Sequence, residues 1–293
     1  MSQLTTLDVA QWQQPLDPAT SAYATRELET GNVLFLPMLK FTPADEERRL
    51  LSPAWSDGKA KNISYDPSAA AIRHTSAAGA DRQQLAAMMA RFAQQARELV
   101  SSVCPGYAAH LRWGLGSFRP VEARGRASSR TKDDTRLHVD AFASRPNQGQ
   151  RILRVFCNIN PRGEPRVWEL GEPFDAVAQR FRGRVAPQWP GSAWLLERMR
   201  VTKGRRSAYD HIMLNLHDQA KLDDAYQQST PRTRVEFPAQ STWIVFTDRV
   251  MHAALAGQFL LEQTFYLPVA AMQDASCAPL RILEQLYQRK LVW

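Results

Sequence analysis

Leu137-His138-Val139-Asp140, followed after a turn-rich gap by Arg151-Ile152-Leu153-Arg154-Val155-Phe156-Cys157-Asn158-Ile159-Asn160, is the stretch on which the reading of this chain turns. In an extended chain residues i and i+2 project from the same face, so His138 and Asp140 present an imidazole and a carboxylate side by side. Such a pair supplies two cis ligands to one metal. A third ligand completes the 2-His-1-carboxylate set that leaves positions open on Fe(II). His252 is the candidate. It follows the apolar run Ser241–Phe246 through the turn Thr247-Asp248-Arg249-Val250-Met251, and another strand-like run comes after it. The 151–160 run carries apolar Leu153, Val155, Cys157 and Ile159 on one face and Ile152, Arg154, Phe156, Asn158 and Asn160 on the other. Arginine and asparagine facing a core must be paired, so the second face is expected to line a polar cavity, with Arg154 placed to bind the carboxylate of an organic acid. An arginine on an exposed sheet edge is the other reading of the same pattern.

Outward from this centre, period-two runs recur at Val167–Leu170, Ser241–Phe246 and Phe259–Val269, each bounded by turn residues, so the second half is read as β-rich. Helical patterns surround it. Asp81–Val103 repeats apolar residues at spacings of three and four, Gly191–Thr230 reads as a helical insertion, and Leu280–Trp293 reads as a final amphipathic helix. Thr42-Pro43 followed by three acidic residues predicts a helix start, whereas residues 1–30 show little pattern. The expected class is α+β. Residues 1–110 form a helix and strand segment packed on a core at 111–270, the insertion occupies about 191–230, the C-terminal helix takes 271–293, and the whole makes one structural domain.

The 293 residues hold 37 basic and 29 acidic side chains, a formal charge of +8, and Arg outnumbers Lys 30 to 7. Planar guanidinium groups suit bidentate recognition of carboxylate and phosphate, although a GC-rich genome produces the same bias. The charge points to an anionic partner without choosing one. Three distant cysteines, Cys104, Cys157 and Cys277, form neither a metal knuckle nor a disulfide framework and suggest a reducing compartment. No apolar run is long enough to span a bilayer, and the N-terminus lacks the pattern of a signal peptide. A cytoplasmic location is expected. His74, His110, His211 and His217 are read as structural or surface residues.

The arrangement resembles the Fe(II)/2-oxoglutarate-dependent oxygenases over roughly residues 111–269. More specifically, 137–146, 151–161, Pro165-Arg166-Val167-Trp168 with Gly171-Glu172-Pro173-Phe174, and His252 with 257–265 resemble the hydroxylases of 3-deoxy-D-manno-oct-2-ulosonic acid, Kdo. The resemblance implies a double-stranded β-helix, or jelly roll, and Fe(II) held by His138, Asp140 and His252. It also implies 2-oxoglutarate and O2 as cosubstrates, and hydroxylation of carbon 3 of Kdo on lipid A in the lipopolysaccharide of Gram-negative bacteria. Many such oxygenases bind 2-oxoglutarate through an Arg about ten residues after the distal His, but no cation stands there before Arg281. Arg154 is then the expected anchor, with Asn158 and Gln263 as further cosubstrate-binding residues and Arg166 or Arg151 as substitutes.

Two other readings fit the same residues. One is an oxygenase acting on another anionic substrate, nucleic acid included, against which the Arg119–Arg136 loop lacks interleaved stacking aromatics. The other is a β-helix binding protein without turnover. The loop and the group Arg198, Arg200, Lys203, Arg205 and Arg206 are expected to meet an anionic headgroup and the cytosolic leaflet of the inner membrane. The terminal helix, with Trp293, either packs on the core or touches the bilayer.

Overall fold

A computed structural model describes residues 3–125 and 128–293; Arg126 of the basic loop lies outside the described residues. The strands are β1 (Leu4–Thr6), β2 (Val33–Leu36), β3 (Ile63–Asp66), β4 (Ala71–Arg73), β5 (Arg112–Arg119), β6 (Arg151–Asn158), β7 (Arg166–Leu170), β8 (Thr233–Phe237), β9 (Ser241–Phe246), β10 (His252–Ala256) and β11 (Leu260–Leu267). The helices are α1 (Pro18–Thr30), α2 (Gly79–Val103), α3 (Phe174–Phe181), α4 (Ser192–Arg198), α5 (Ala208–Leu222), α6 (Asp224–Ser229) and α7 (Pro279–Tyr287). Eight strands form one sheet in the order β1-β2-β9-β6-β11-β5-β3-β4, and three form a second in the order β10-β7-β8. The class is α+β, and the facing sheets make the jelly-roll core.

The alternation in β6 builds both sides of the large sheet. Leu153, Val155 and Cys157 join one buried cluster with Leu85, Met88, Phe92 and Leu99 of α2 and Leu28 of α1. Phe156 points the other way, into a cluster between the sheets with Trp168, Phe237 and Trp243. There the Phe237 and Trp243 rings stack at 4.0 Å between centres, and Phe156 stacks on Trp243 at 5.3 Å. The face read as polar is thus divided: its middle is aromatic core, and Arg154 sits beyond it at a cleft.

Local departures from the sequence reading have physical causes. Residues 18–30 form α1, capped by Asp17, whose carboxylate accepts from Ala19 and Thr20 at 3.0 Å each. Its buried face carries Ser21, Ala24, Thr25, Leu28 and Glu29, so it shows almost no apolar stripe. The segment after Thr42-Pro43 is a 3-10 helix, Asp45–Leu50, with Ala44 at the cap position. Its Glu47 carboxylate is spent on the Ala44 amide and on Arg91 of α2. Residues 191–230 contain α4, α5 and α6. In α7, Leu280 and Leu283 are buried, and Ile282, Leu286 and Tyr287 pack against the same core.

Candidate metal centre

The His138–Asp140 segment is not an extended strand of either sheet. It adds one antiparallel bridge to β10, in which His138 and His252 exchange backbone hydrogen bonds, His138 N–H donating at 3.0 Å and His252 N–H at 2.9 Å. Two further bonds fix its course: Ala254 N–H donates to Asp134 O at 2.7 Å, and Asp140 N–H donates to Thr247 O at 2.8 Å. The two imidazoles, distant in sequence, are therefore opposite neighbours. The insertion holds the segment from outside. The Gln227 amide of α6 accepts from Leu137 N–H and donates to Leu137 O, each at 3.0 Å. Arg136 reaches the Lys221 carbonyl and the Asp224 carboxylate.

Ligand atoms of His138, Asp140 and His252 lie within 4.8 Å of one another. Each imidazole directs Nδ1 at a backbone carbonyl, His138 to Arg136 O and His252 to Val250 O, both at 2.8 Å. With the proton committed at Nδ1, both Nε2 atoms carry lone pairs toward the shared space, the tautomer a divalent metal requires. His252 also stacks on Trp168, ring centres 5.0 Å apart, and His217 packs edge-on against His138 at 5.4 Å. Burial depresses both imidazole pKa values, that of His138 well below 6.5, and its neighbour His252 adds to the effect. Burial pushes Asp140 up, but Arg154 and the two histidines outweigh it and hold the carboxylate ionised. Two neutral nitrogens and one carboxylate fit Fe(II) or a similar divalent ion.

Beside this set runs a chain of alternating charge. Arg154 Nη1 lies 3.1 Å from Asp140 Oδ2, and its Nε lies 3.4 Å from Glu262 Oε1. Arg119 of β5 pairs with the other oxygen of Glu262, which also accepts from Ser117 at 3.0 Å. Glu262, on β11, is the tenth residue after His252. The position ten residues after the distal His thus holds an acid, and the cations beside it come from the neighbouring strands β5 and β6. Burial disfavours the Glu262 anion, yet Arg154 and Arg119 lower its pKa. A cleft of about 380 Å³ opens over this chain, lined by Arg154, Arg119, Glu262, Thr264, Tyr266 and Phe142 among others. Phe142 lies against the Arg154 guanidinium at 5.5 Å.

The other expected cosubstrate residues lie elsewhere. Asn158 is buried at the far end of β6, where its amide donates to Glu164 O and Phe237 O at 3.0 and 3.1 Å. Gln263 points to the opposite face of β11 from Glu262 and Thr264, and donates to Gly114 O and Thr264 O. Arg151 is paired with Asp248 inside the core, and Arg166 donates to Gly257 O at 2.7 Å. Arg154 alone of these faces the cleft. The residues that sequence reasoning missed are Arg119, which it assigned to a basic loop, and Glu262; His74, read as a structural or surface residue, is about half exposed and lines the cleft. Lys221 was missed as well. It is 1 % exposed on α5 and shares Asp134 with Lys61, at 3.5 and 2.9 Å.

The model of the 3-deoxy-D-manno-oct-2-ulosonic acid (Kdo) hydroxylase family matches residues 11–290. None of the curated proteins matches the chain. Among solved structures, it is similar to the Kdo hydroxylase KdoO, a non-heme Fe(II) alpha-ketoglutarate-dependent dioxygenase. The complex of KdoO with alpha-ketoglutarate and Fe(III) shares 45% identity over 99% of this chain and 97% of that one, with a TM-score of 0.95. The cobalt(II) complex shares 45% identity over 99% and 98%, with a TM-score of 0.97. The complex with succinate and Fe(III) shares 44% identity over the same extents, with a TM-score of 0.95. With its two imidazoles and one carboxylate gathered beside an arginine-lined cleft, the chain belongs to the Kdo hydroxylase family.

Proposed function

We propose that this protein is an Fe(II)/2-oxoglutarate-dependent dioxygenase that hydroxylates carbon 3 of Kdo in the lipid A-linked inner core of lipopolysaccharide, working at the cytosolic surface of the inner membrane. The observation that carries the reading is the convergence of His138, Asp140 and His252 next to the cleft that contains Arg154. When bound, Fe(II) with 2-oxoglutarate and O2 supplies an oxidant strong enough to hydroxylate an unactivated sugar carbon. His138, Asp140 and His252 would hold the metal, and three protein ligands would leave it able to bind the cosubstrate and oxygen. Arg154 anchors the distal carboxylate of 2-oxoglutarate, with Arg119 as the neighbouring cation and Glu262 setting the orientation of both. No side chain is needed as a general base, because the reaction replaces hydrogen by hydroxyl without ionising the carbon. The chain's contribution is geometry, anchoring and exclusion of water by Phe142 and the aromatic core.

Lys61, His74 and Arg145 line the same cleft and suit a sugar that carries a carboxylate. Release of succinate from 2-oxoglutarate should rise when lipid A-linked Kdo is added to the iron-loaded protein and should be absent from His138→Ala. Succinate release that ignores the Kdo substrate and responds to a different anionic acceptor would overturn the choice of sugar. No release under any condition would favour a binding protein.

A further inference from the structure

The helical insertion turns two opposite chemistries outward. Trp189 and Trp194 are 81 % and 59 % exposed, Met199 is 64 % exposed, and Trp293 joins them at 71 %. Of the nine exposed large apolar side chains among the described residues, six are Trp293 or fall in 189–201. Isolated exposed apolar residues are ordinary, whereas a concentration of this kind marks an interaction site. The core does not need these residues. Helix α4 buries none of its side chains, while α5 beside it buries Tyr209, Ile212, Met213 and Leu216.

Charge identifies the occupant. Trp189, Trp194 and Trp293 wall a cleft of about 400 Å³ together with Arg205, Arg206 and Lys290, and the Arg205 guanidinium lies 5.1 Å from the Trp293 ring centre. Between 185 and 208 the sequence has five basic residues against the single acid Glu197. Indole rings favour the headgroup level of a bilayer, and a basic rim favours anionic headgroups. The same face is tied to the reaction cleft by direct hydrogen bonds. Lys203 N–H donates to Ser144 O at 2.9 Å and Arg206 donates to Ala143 O at 2.7 Å, while Phe142, Ser144 and Arg145 line the cleft itself.

We propose that this face docks on an anionic phospholipid bilayer, with Trp189, Trp194 and Trp293 at headgroup level and Arg205, Arg206 and Lys290 on phosphates, so that the 142–145 wall of the cleft meets the membrane surface. The proposal deepens the membrane part of the functional reading and rests on it. It moves the apolar contact from α7, whose apolar face is turned inward, to the insertion.

The test is co-sedimentation of the full chain with vesicles of phosphatidylglycerol and phosphatidylethanolamine, and with vesicles of phosphatidylcholine alone, at low and physiological salt. The native protein should sediment with the first and not the second. The double variant Arg205→Ser, Arg206→Ser should bind about 30-fold more weakly, since each basic residue near an anionic surface contributes a roughly fivefold share. Trp189→Ser with Trp194→Ser should also weaken binding. The variant Trp189→Phe, Trp194→Phe keeps the apolar surface and should bind, with less of its remaining fluorescence quenched by brominated lipid than in the native chain. Native protein that ignores anionic vesicles, or Ser variants that bind like it, would overturn the proposal. A concentration-dependent dimer lost in the Ser variants, without vesicle binding, would overturn it in favour of a second copy. The vesicles contain no Kdo, so failure here leaves hydroxylation, assayed separately on a water-soluble Kdo glycoside, untouched.

Discussion

Arg154 decides more at this site than any other side chain that does not bind the metal, because it touches the metal-side carboxylate Asp140 and the acid Glu262 at once. Two roles follow, and they separate in measurement. As the anchor of 2-oxoglutarate, Arg154→Ala removes a charge-assisted contact of about 1.5–3 kcal/mol and should raise the KM for 2-oxoglutarate roughly 10- to 150-fold. Arg154→Lys should recover part of that loss, since it restores the charge without the fork. Direct titration with Co(II) should show a much smaller change in metal affinity. A large loss of metal affinity with an unchanged KM would assign Arg154 to holding Asp140 alone. The sequence made the metal set legible because His138 and Asp140 are two residues apart and His252 follows a strand and a turn. It did not reveal Glu262 or Arg119 as members of the site. Their roles depend on the register that sets Glu262 between Phe156 of β6 and Ser117 of β5, and no local pattern encodes such a pairing.

At the scale of elements, the small sheet couples the aromatic core to the metal ligands. Trp168 of β7 stacks on His252, contacts Phe156 and Trp243, and is almost fully buried with its Nε1 lacking an acceptor. Trp168→Ala should therefore destabilise the fold by about 3–5 kcal/mol, as large-to-small core changes do. It should also weaken metal binding, because the ring that fixes the His252 plane is gone. Trp168→Phe keeps a stacking ring and leaves no stranded N–H, so its effect should stay below about 1.5 kcal/mol, measured as a shift in urea midpoint at constant slope. Strands β6, β9 and β11 were legible from their alternation and bounding turns. Strands β1, β3, β4 and β8 were not, since they are three to five residues long and sit at or near sheet edges, where one face is solvated and the apolar signal is weak. The His138 bridge is likewise set by β10 and by the clamp from α6 rather than by its own propensity.

For the whole molecule, burial of the metal site links stability to pH. In the metal-free protein the folded state holds His138 and His252 neutral below their ordinary pKa of 6.5. As pH falls below that value the unfolded chain takes up protons that the folded chain refuses, so stability is present above 6.5 and lost below it. Glu262 and Asp140 are held below ordinary values of 4.5 and 3.8, and their contribution is lost as pH falls further, through that lower range. Urea midpoints of the chelator-treated protein should fall from pH about 8 to about 5. Added Co(II) should raise the midpoint at the higher pH, by mass action on a site that exists only in the folded state, and less at the lower pH, where protons compete for the ligands. A midpoint independent of pH across this interval would mean that the imidazoles are not desolvated together.

In the proposed reaction His138, Asp140 and His252 serve to place one oxygen atom on Kdo. The direct measurement is the mass of the Kdo unit in lipid A-linked substrate after incubation with the purified protein, Fe(II), 2-oxoglutarate and O2, beside the His138→Ala and His252→Ala variants. A gain of one oxygen atom on the sugar, dependent on 2-oxoglutarate and missing from both variants, is the predicted result. An unchanged sugar mass with metal-loaded native protein, or an equal gain with the variants, would contradict it.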